Sequence, residues 1–100
     1  MAAYIIADIV VTDPVGFEKY RQAVPAVIAA HGGRYIVRGG PRTALEGSHS
    51  AGRVVILEFP DMERLRAFWS SPEYAPLKTL RENASTSRIE AVEGYVPKPI

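Results

Sequence analysis

The chain has 100 residues, 47% of them apolar and 23% charged, with no Cys and a formal net charge of +1. A chain this short hides only roughly 65% of the surface its unfolded form exposes, so its core is thin and a second subunit is a natural way to thicken it. The near-neutral charge removes the electrostatic footprint of a nucleic-acid or membrane-surface binder, and the absence of Cys excludes a disulfide scaffold, a zinc–thiolate site and a thiol nucleophile.

Met1 to Val11 is apolar but lacks a basic n-region and is interrupted by Asp8, so neither a signal peptide nor a membrane span is expected and the expected location is the cytoplasm. Ala3 to Thr12, rich in Ile and Val, predicts a strand. Asp13-Pro14 then opens a helix, Asp13 as N-cap and Pro14 at the first position. Phe17, Tyr20, Val24, Val27, Ile28 and His31 recur at helical spacing and make one apolar stripe. Pro25 lies inside that stripe, lacks an N–H and is expected to kink or restart the helix, and Gly32-Gly33 ends it. Arg34 to Arg38 reads as a short strand broken by Gly39-Gly40-Pro41, with Thr43 to Glu46 as an edge extension and Gly47 to Gly52 as a loop tip. Arg53 to Phe59 is the clearest strand. Pro60-Asp61 then starts a helix with Met62, Leu65, Phe68 and Trp69 on one side. Ser71-Pro72-Glu73 caps another, with Tyr74, Leu77, Leu80 and Ala84 inward. Ser87 to Val96 is the last strand, and residues 97–100 form a tail.

This order places one domain over residues 1–96. It predicts an α+β, ferredoxin-like βαββαβ unit: a four-stranded antiparallel sheet with helices on one face. The right-handed crossover rule puts the first and third strands in the centre and the second beside the third. Alternation along the strands then separates two faces. Ala3, Ile5, Ala7, Ile9, Val11, Tyr35, Val37, Val55, Leu57 and Phe59 make an apolar face for the helices. Tyr4, Ile6, Asp8, Val10, Arg34, Ile36, Arg38, Val54, Ile56 and Glu58 mix charges with a continuous apolar patch that water alone should not cover. An isologous homodimer, sheet against sheet, is the simplest closure and makes a dimeric α+β barrel. Asp8, Arg38 and Glu58, with Arg34 nearby, would then form a polar cluster on the covered face. Such charges usually pair to hold an interface in register; the sharper alternative is a polar site in which Arg orients an anion. A bulge in any strand would swap the parity on which this rests.

Ile6-Ala7-Asp8, Thr12-Asp13-Pro14, Gly32-Gly33-Arg34, Val37-Arg38-Gly39-Gly40, Leu45-Glu46-Gly47, Val55 to Pro60, Ser71-Pro72-Glu73-Tyr74 and Val92-Glu93-Gly94 together resemble the domain-of-unknown-function family thirteen-thirty, of the dimeric α+β barrel superfamily. The resemblance covers about residues 2 to 96. It implies a ferredoxin-like dimer but supplies no reaction. Relatives often carry Trp after the Glu-Gly turn, where this chain has Ser48-His49.

No phosphate-cradling motif, His-Glu-x-x-His pattern or serine-hydrolase constellation is readable, and no cofactor or metal is expected. His31 reads as a helix C-terminal cap favoured by the helix dipole, and His49 as a solvated loop residue. Tyr20, His31, Trp69 and Tyr74 fall on inward helix faces. Plain core packing is the commoner role for such residues, yet they are the candidates to line a pocket between helices and sheet. Two functions follow. One is a cofactor-independent enzyme, monooxygenase- or isomerase-like, acting on a small organic molecule; it needs a cavity of roughly 300 Å³ or more meeting these side chains. The other is a non-catalytic dimeric binding or interaction module, in which Asp8, Arg38 and Glu58 satisfy one another. The expected partners are a second copy of the chain and a small-molecule ligand, not nucleic acid or membrane.

Overall fold

The computed structural model describes residues 1–97 and Pro99; Lys98 and Ile100 of the expected tail lie outside the described residues. The elements run β1 (Ala3–Val11), α1 (Pro14–Ala30), β2 (Arg34–Arg38), β3 (Arg53–Phe59), α2 (Met62–Trp69), α3 (Ala75–Ala84) and β4 (Ser85–Glu93). The sheet is antiparallel in the order β2-β3-β1-β4, as the crossover rule requires,. This is the expected ferredoxin-like arrangement. Among the described residues, no helix is long and apolar enough to cross a membrane.

Caps set the helix starts. The Asp13 carboxylate accepts from the Gly16 amide at 3.2 Å and the Asp61 carboxylate from the Arg64 amide at 2.8 Å, each satisfying an amide that the first turn leaves free. The amides of Thr12 and Asp13 both donate to the Ala84 carbonyl, at 2.9 and 3.0 Å, and so tie the β1–α1 corner to the end of α3. Between α2 and α3, the Ser71 hydroxyl donates to Phe68 O at 2.8 Å and accepts from the Tyr74 amide at 3.2 Å. The chain therefore turns once more before α3 begins at Ala75, later than the Ser71 cap suggested. The core lies between sheet and helices, built from Ala3, Ile5, Leu57 and Phe59 beneath Val24, Ile28, Leu65, Phe68 and Tyr74.

Four expectations change. Residues 43–46 are loop, not an edge strand. β4 starts at Ser85 rather than Ser87 and ends at Glu93. α1 runs from Pro14 through Pro25 to Ala30 without restarting. The fourth change lies in β2: Tyr35 pairs with Leu57 and Val37 with Ile56, so a bulge at Ile36 shifts the register by one residue. Beyond the bulge parity reverses, as any one-residue slip must make it. Val37 turns to the outer face, and Arg38, opposite Val55, turns to the helix side of the sheet, where it stays exposed.

The third and fourth changes are linked. Proline at position 25 cannot donate to the carbonyl four residues earlier, that of Arg21, and leaves it without its helical partner. The inward-turned Arg38 donates from Nη2 to that same Arg21 carbonyl at 3.2 Å. The bulge thus supplies the donor that the proline removes, and the helix continues.

Candidate functional site

Trp69, the last residue of α2, stands at the centre of the candidate site. Its ring lies 5.5 Å from that of Tyr74, which packs at a tilt against Phe68 at 4.5 Å. The Tyr74 hydroxyl meets that of Tyr20, from α1, at 3.3 Å. Burial, reinforced by Tyr74, pushes the Tyr20 hydroxyl well above its ordinary pKa, so it keeps its proton and remains a hydrogen-bond donor. Burial likewise raises Tyr35, with Arg38 opposing.

These residues line a narrow, partly open cavity of about 40 Å³ between helices and sheet, together with Arg21, Arg38, Arg53 and Arg81. That space holds roughly three waters at ~10–15 Å³ each and falls far short of the roughly 300 Å³ expected of a pocket between Tyr20, His31, Trp69 and Tyr74, so the interior pocket expected from the sequence is not formed there. Two open clefts adjoin it. One, of about 520 Å³, lies between α2 and β4 and is walled by Ile5, Met62, Leu65, Trp69 and Ile89. The other, of about 420 Å³, lies between α3 and β4 and is walled by Trp69, Lys78, Arg81, Ser87 and Ile89. Trp69 and Ile89 are walls common to all three spaces, so the indole borders both the narrow cationic interior and clefts of ligand size.

The cations are held by sequence logic. Arg53 shares the inward parity of Val55 and Leu57, and its guanidinium sits 5.6 Å from the Phe17 ring centroid. Gly39, at φ +69°, lets it lie there, because a Cβ at that position would come within 2.5 Å of Arg53 Nη2,. Arg38 lies 4.5 Å over the Tyr35 ring,. Arg81 falls on the inward stripe Leu77, Arg81, Ala84 at helical spacing. Arg53 and Arg81 were readable from parity and periodicity but carried no motif, and sequence reasoning passed over both.

His31 stands apart from this cavity. Its Nδ1 lies 3.0 Å from Val27 O and its ring meets Phe68 edge-on at 5.9 Å, which places it at the α1 C-terminus where a cap was expected. His49 lies in the exposed loop, its Nδ1 2.7 Å from Ser50 O.

The cluster of Asp8, Arg38 and Glu58 does not assemble, because the bulge sends Arg38 to the opposite face. Asp8 instead accepts from the Ser50 hydroxyl, at 2.7 and 2.8 Å, with Arg42 at 3.7 Å. Arg42 also donates to Gly52 O at 2.6 Å, so this group fastens the 39–52 loop to the sheet. Sequence reasoning missed Arg42 and Ser50, since nothing local ties a loop residue to a strand more than thirty positions away. Glu58 accepts from Arg34 Nε at 2.8 Å and from the Tyr4 hydroxyl at 3.1 Å. Among the described residues, no group of three His, Asp or Glu is placed to hold a metal.

The Arg34 hydrogen bond, opposed by burial and aided by Tyr4, holds the Glu58 carboxyl below its ordinary value of 4.5. A depressed carboxyl stabilises the fold while ionised, and that contribution is lost as pH falls below the unfolded value and through the folded one. Between about pH 5 and about pH 3, wild-type Tm is expected to fall more than that of Glu58→Gln. Equal falls in a calorimetric pH series would remove Glu58 from the acid response.

Solved structures share the fold at low identity. A protein of unknown function from Rhodopseudomonas palustris is 17% identical with a TM-score of 0.75, over 96% of this chain and 84% of its own. SnoaB from Streptomyces nogalater, described as a cofactor-independent oxygenase, is 18% identical with a TM-score of 0.62, over 99% and 98%. A dimeric ferredoxin-like protein of unknown function from Jannaschia is 13% identical with a TM-score of 0.65, over 94% and 100%. No curated protein matches the chain in sequence. Residues 2–95 match the family described as Domain of unknown function (DUF1330), and the chain belongs to that family.

Proposed function

We propose that this protein is a homodimer that binds a small organic molecule at the clefts around Trp69 and acts on it as a cofactor-independent enzyme of monooxygenase or isomerase type. The observation that carries the reading is that the indole of Trp69 lines a narrow, arginine-lined cavity and two open clefts of several hundred Å³. Ferredoxin-like sheets are a generic scaffold, so the site rather than the fold must carry the function. The shared fold of a protein described as a cofactor-independent oxygenase supports the class of chemistry.

The described side chains lining the narrow interior cavity include neither carboxylate nor imidazole. What they offer is hydrogen-bond donation from Tyr20 and Tyr74 and guanidinium groups that favour negative charge nearby. A substrate in the adjoining clefts that ionises readily by itself would suit such surroundings. The homodimer is supported by the outer sheet face, where Ile6, Val10, Ile36, Val37 and Val92 are exposed together, and by the dimeric ferredoxin-like neighbour.

Native mass spectrometry of freshly purified protein is expected to give a dimer with a reproducible extra mass, absent from a Trp69→Ala variant that remains dimeric. Adding the released compound back under air, without metal or flavin, is expected to consume dioxygen if the reaction is an oxygenation and to give an isomer of equal mass if it is not. A clean dimer that turns over nothing and whose Trp69 emission ignores small aromatic compounds would make the protein a non-catalytic module. A monomer would overturn the reading of the outer sheet face.

A further inference from the structure

We propose that the ligand is a small organic acid, its carboxylate held by Arg81 in the α3–β4 cleft and its apolar body lying along Trp69 into the α2–β4 cleft. The inference rests on the reading of the Trp69 clefts as the ligand site. Arg81 is only 5% exposed, yet none of the ion pairs among the described residues involves it. A buried cation without an anion is costly, and such groups are ordinarily paired or hydrogen-bonded. Of the five N–H donors of its guanidinium, Nη1 donates to the Ser87 hydroxyl at 3.0 Å, while Nε is buried with no partner.

The side chain is nonetheless fixed. The Ser85 hydroxyl donates to the Arg81 carbonyl at 2.7 Å and lies 3.1 Å from the Ser87 hydroxyl, so one short chain of hydroxyls grips both ends of the residue. Arg81 lines both the narrow interior cavity and the α3–β4 cleft. Lys78 flanks the same cleft, its ammonium 4.7 Å from the Trp69 ring centroid, with the Arg81 guanidinium at 5.9 Å on that ring. Glu82, the acid that lines this cleft, is exposed.

A planar guanidinium with free donors, held rigid beside an apolar wall, matches a carboxylate in geometry and charge. The neighbouring α2–β4 cleft, with Ile5, Met62, Leu65 and Ile89, supplies an apolar wall for the rest of the molecule, and its charged lining residues, Arg66 and Glu90, are of opposite sign. A headgroup in one cleft and an apolar body in the other, joined across Trp69, define the ligand class.

Trp69 is the chain's one tryptophan, so its emission reports directly from the site. The test titrates the full chain with cyclohexanecarboxylic acid and with its neutral amide, both transparent where Trp is excited. The acid is expected to shift Trp69 emission saturably and the amide to bind about ten-fold or more weakly, the worth of one charge-assisted contact. Arg81→Gln is expected to bring the acid down to the affinity of the amide while leaving the amide unchanged. Because a buried site tolerates change poorly, Lys78→Gln serves as the second variant; it is expected to weaken the acid a few-fold at low salt and to spare the amide. Acid and amide binding equally well would overturn the organic-acid proposal and leave the pocket reading standing. Phenyl phosphate displacing the acid at lower concentration would overturn the choice of carboxylate. Neither compound moving Trp69 emission would overturn both readings together.

Discussion

Tyr74→Ala is expected to lower the free energy of unfolding by about 3–5 kcal/mol, the range for truncating a large buried aromatic. Tyr74 is 2% exposed, packs its ring at a tilt against Phe68 at 4.5 Å and Trp69 at 5.5 Å, and sits where α2 hands over to α3. Removing its ring would take away a packing partner from both Phe68 and Trp69 and widen the narrow interior cavity that it lines. Domains of this size carry a net stability of about 5–15 kcal/mol, so this one change approaches the folding threshold. Tyr74→Phe isolates the hydroxyl. It keeps the ring and removes the 3.3 Å partner of the Tyr20 hydroxyl, at an expected cost of about 1 kcal/mol. Urea denaturation separates the two variants: both should shift the midpoint at unchanged slope, the alanine variant several times further. Similar shifts would mean that the ring packs no more than the hydroxyl bonds, and the placement of Tyr74 as the keystone between α2 and α3 would fail.

That placement was legible from the chain alone, because Tyr74 falls on the inward stripe with Leu77 and Ala84. So were the element order, the strand order and the two faces of β1 and β3, since each follows from periodicity plus one handedness rule. β2 behaved differently. Tyr35-Ile36-Val37 is a run of residues that favour strands, with neither Gly nor Pro to mark an extra residue, and a bulge inside such a run leaves no signature. The register is settled by the partner strand β3, more than fifteen positions away, and only tertiary pairing reveals it. One hidden residue moved Arg38 from the outer face to the cavity and dissolved the cluster expected with Asp8 and Glu58. At Pro25, expected to kink or restart the helix, the restart does not occur, for a related reason. The local rule is sound, but it counts only the donor lost within the helix, and here Arg38 from β2 makes good the loss. Arg53 and Arg81 teach the opposite lesson. Their inward positions followed from strand parity and helix period, and what hid them was the habit of assigning charged residues to the surface.

The outer face of the sheet carries the last expectation, and it concerns assembly rather than the protomer. Ile6 lies in the central strand β1, paired with Ile56 on one side and Glu90 on the other, and is 36% exposed. In the proposed homodimer it becomes a buried central contact, flanked by the exposed Val10, Val37 and Val92 of the same face. Ile6→Lys would bury an ammonium there with only Glu90, opposite it on β4, as counter-charge, and taking such a charge out of water between two apolar sheets costs about 3–5 kcal/mol. With both copies altered, the dissociation constant should rise by a factor on the order of a hundred to a thousand or more, each 1.4 kcal/mol being worth ten-fold. Within a protomer the same side chain already reaches solvent, so far-UV circular dichroism should stay native. Light scattering behind size exclusion is expected to give a dimer for the wild type and a monomer for Ile6→Lys at low micromolar concentration. Val15→Lys, on the solvent side of α1 at 71% exposure, should remain dimeric and controls for added charge. A folded Ile6→Lys dimer would mean that the two sheets do not meet. The apolar patch would then need another partner, and the homodimer would have to form through the sheet edges or the helices instead.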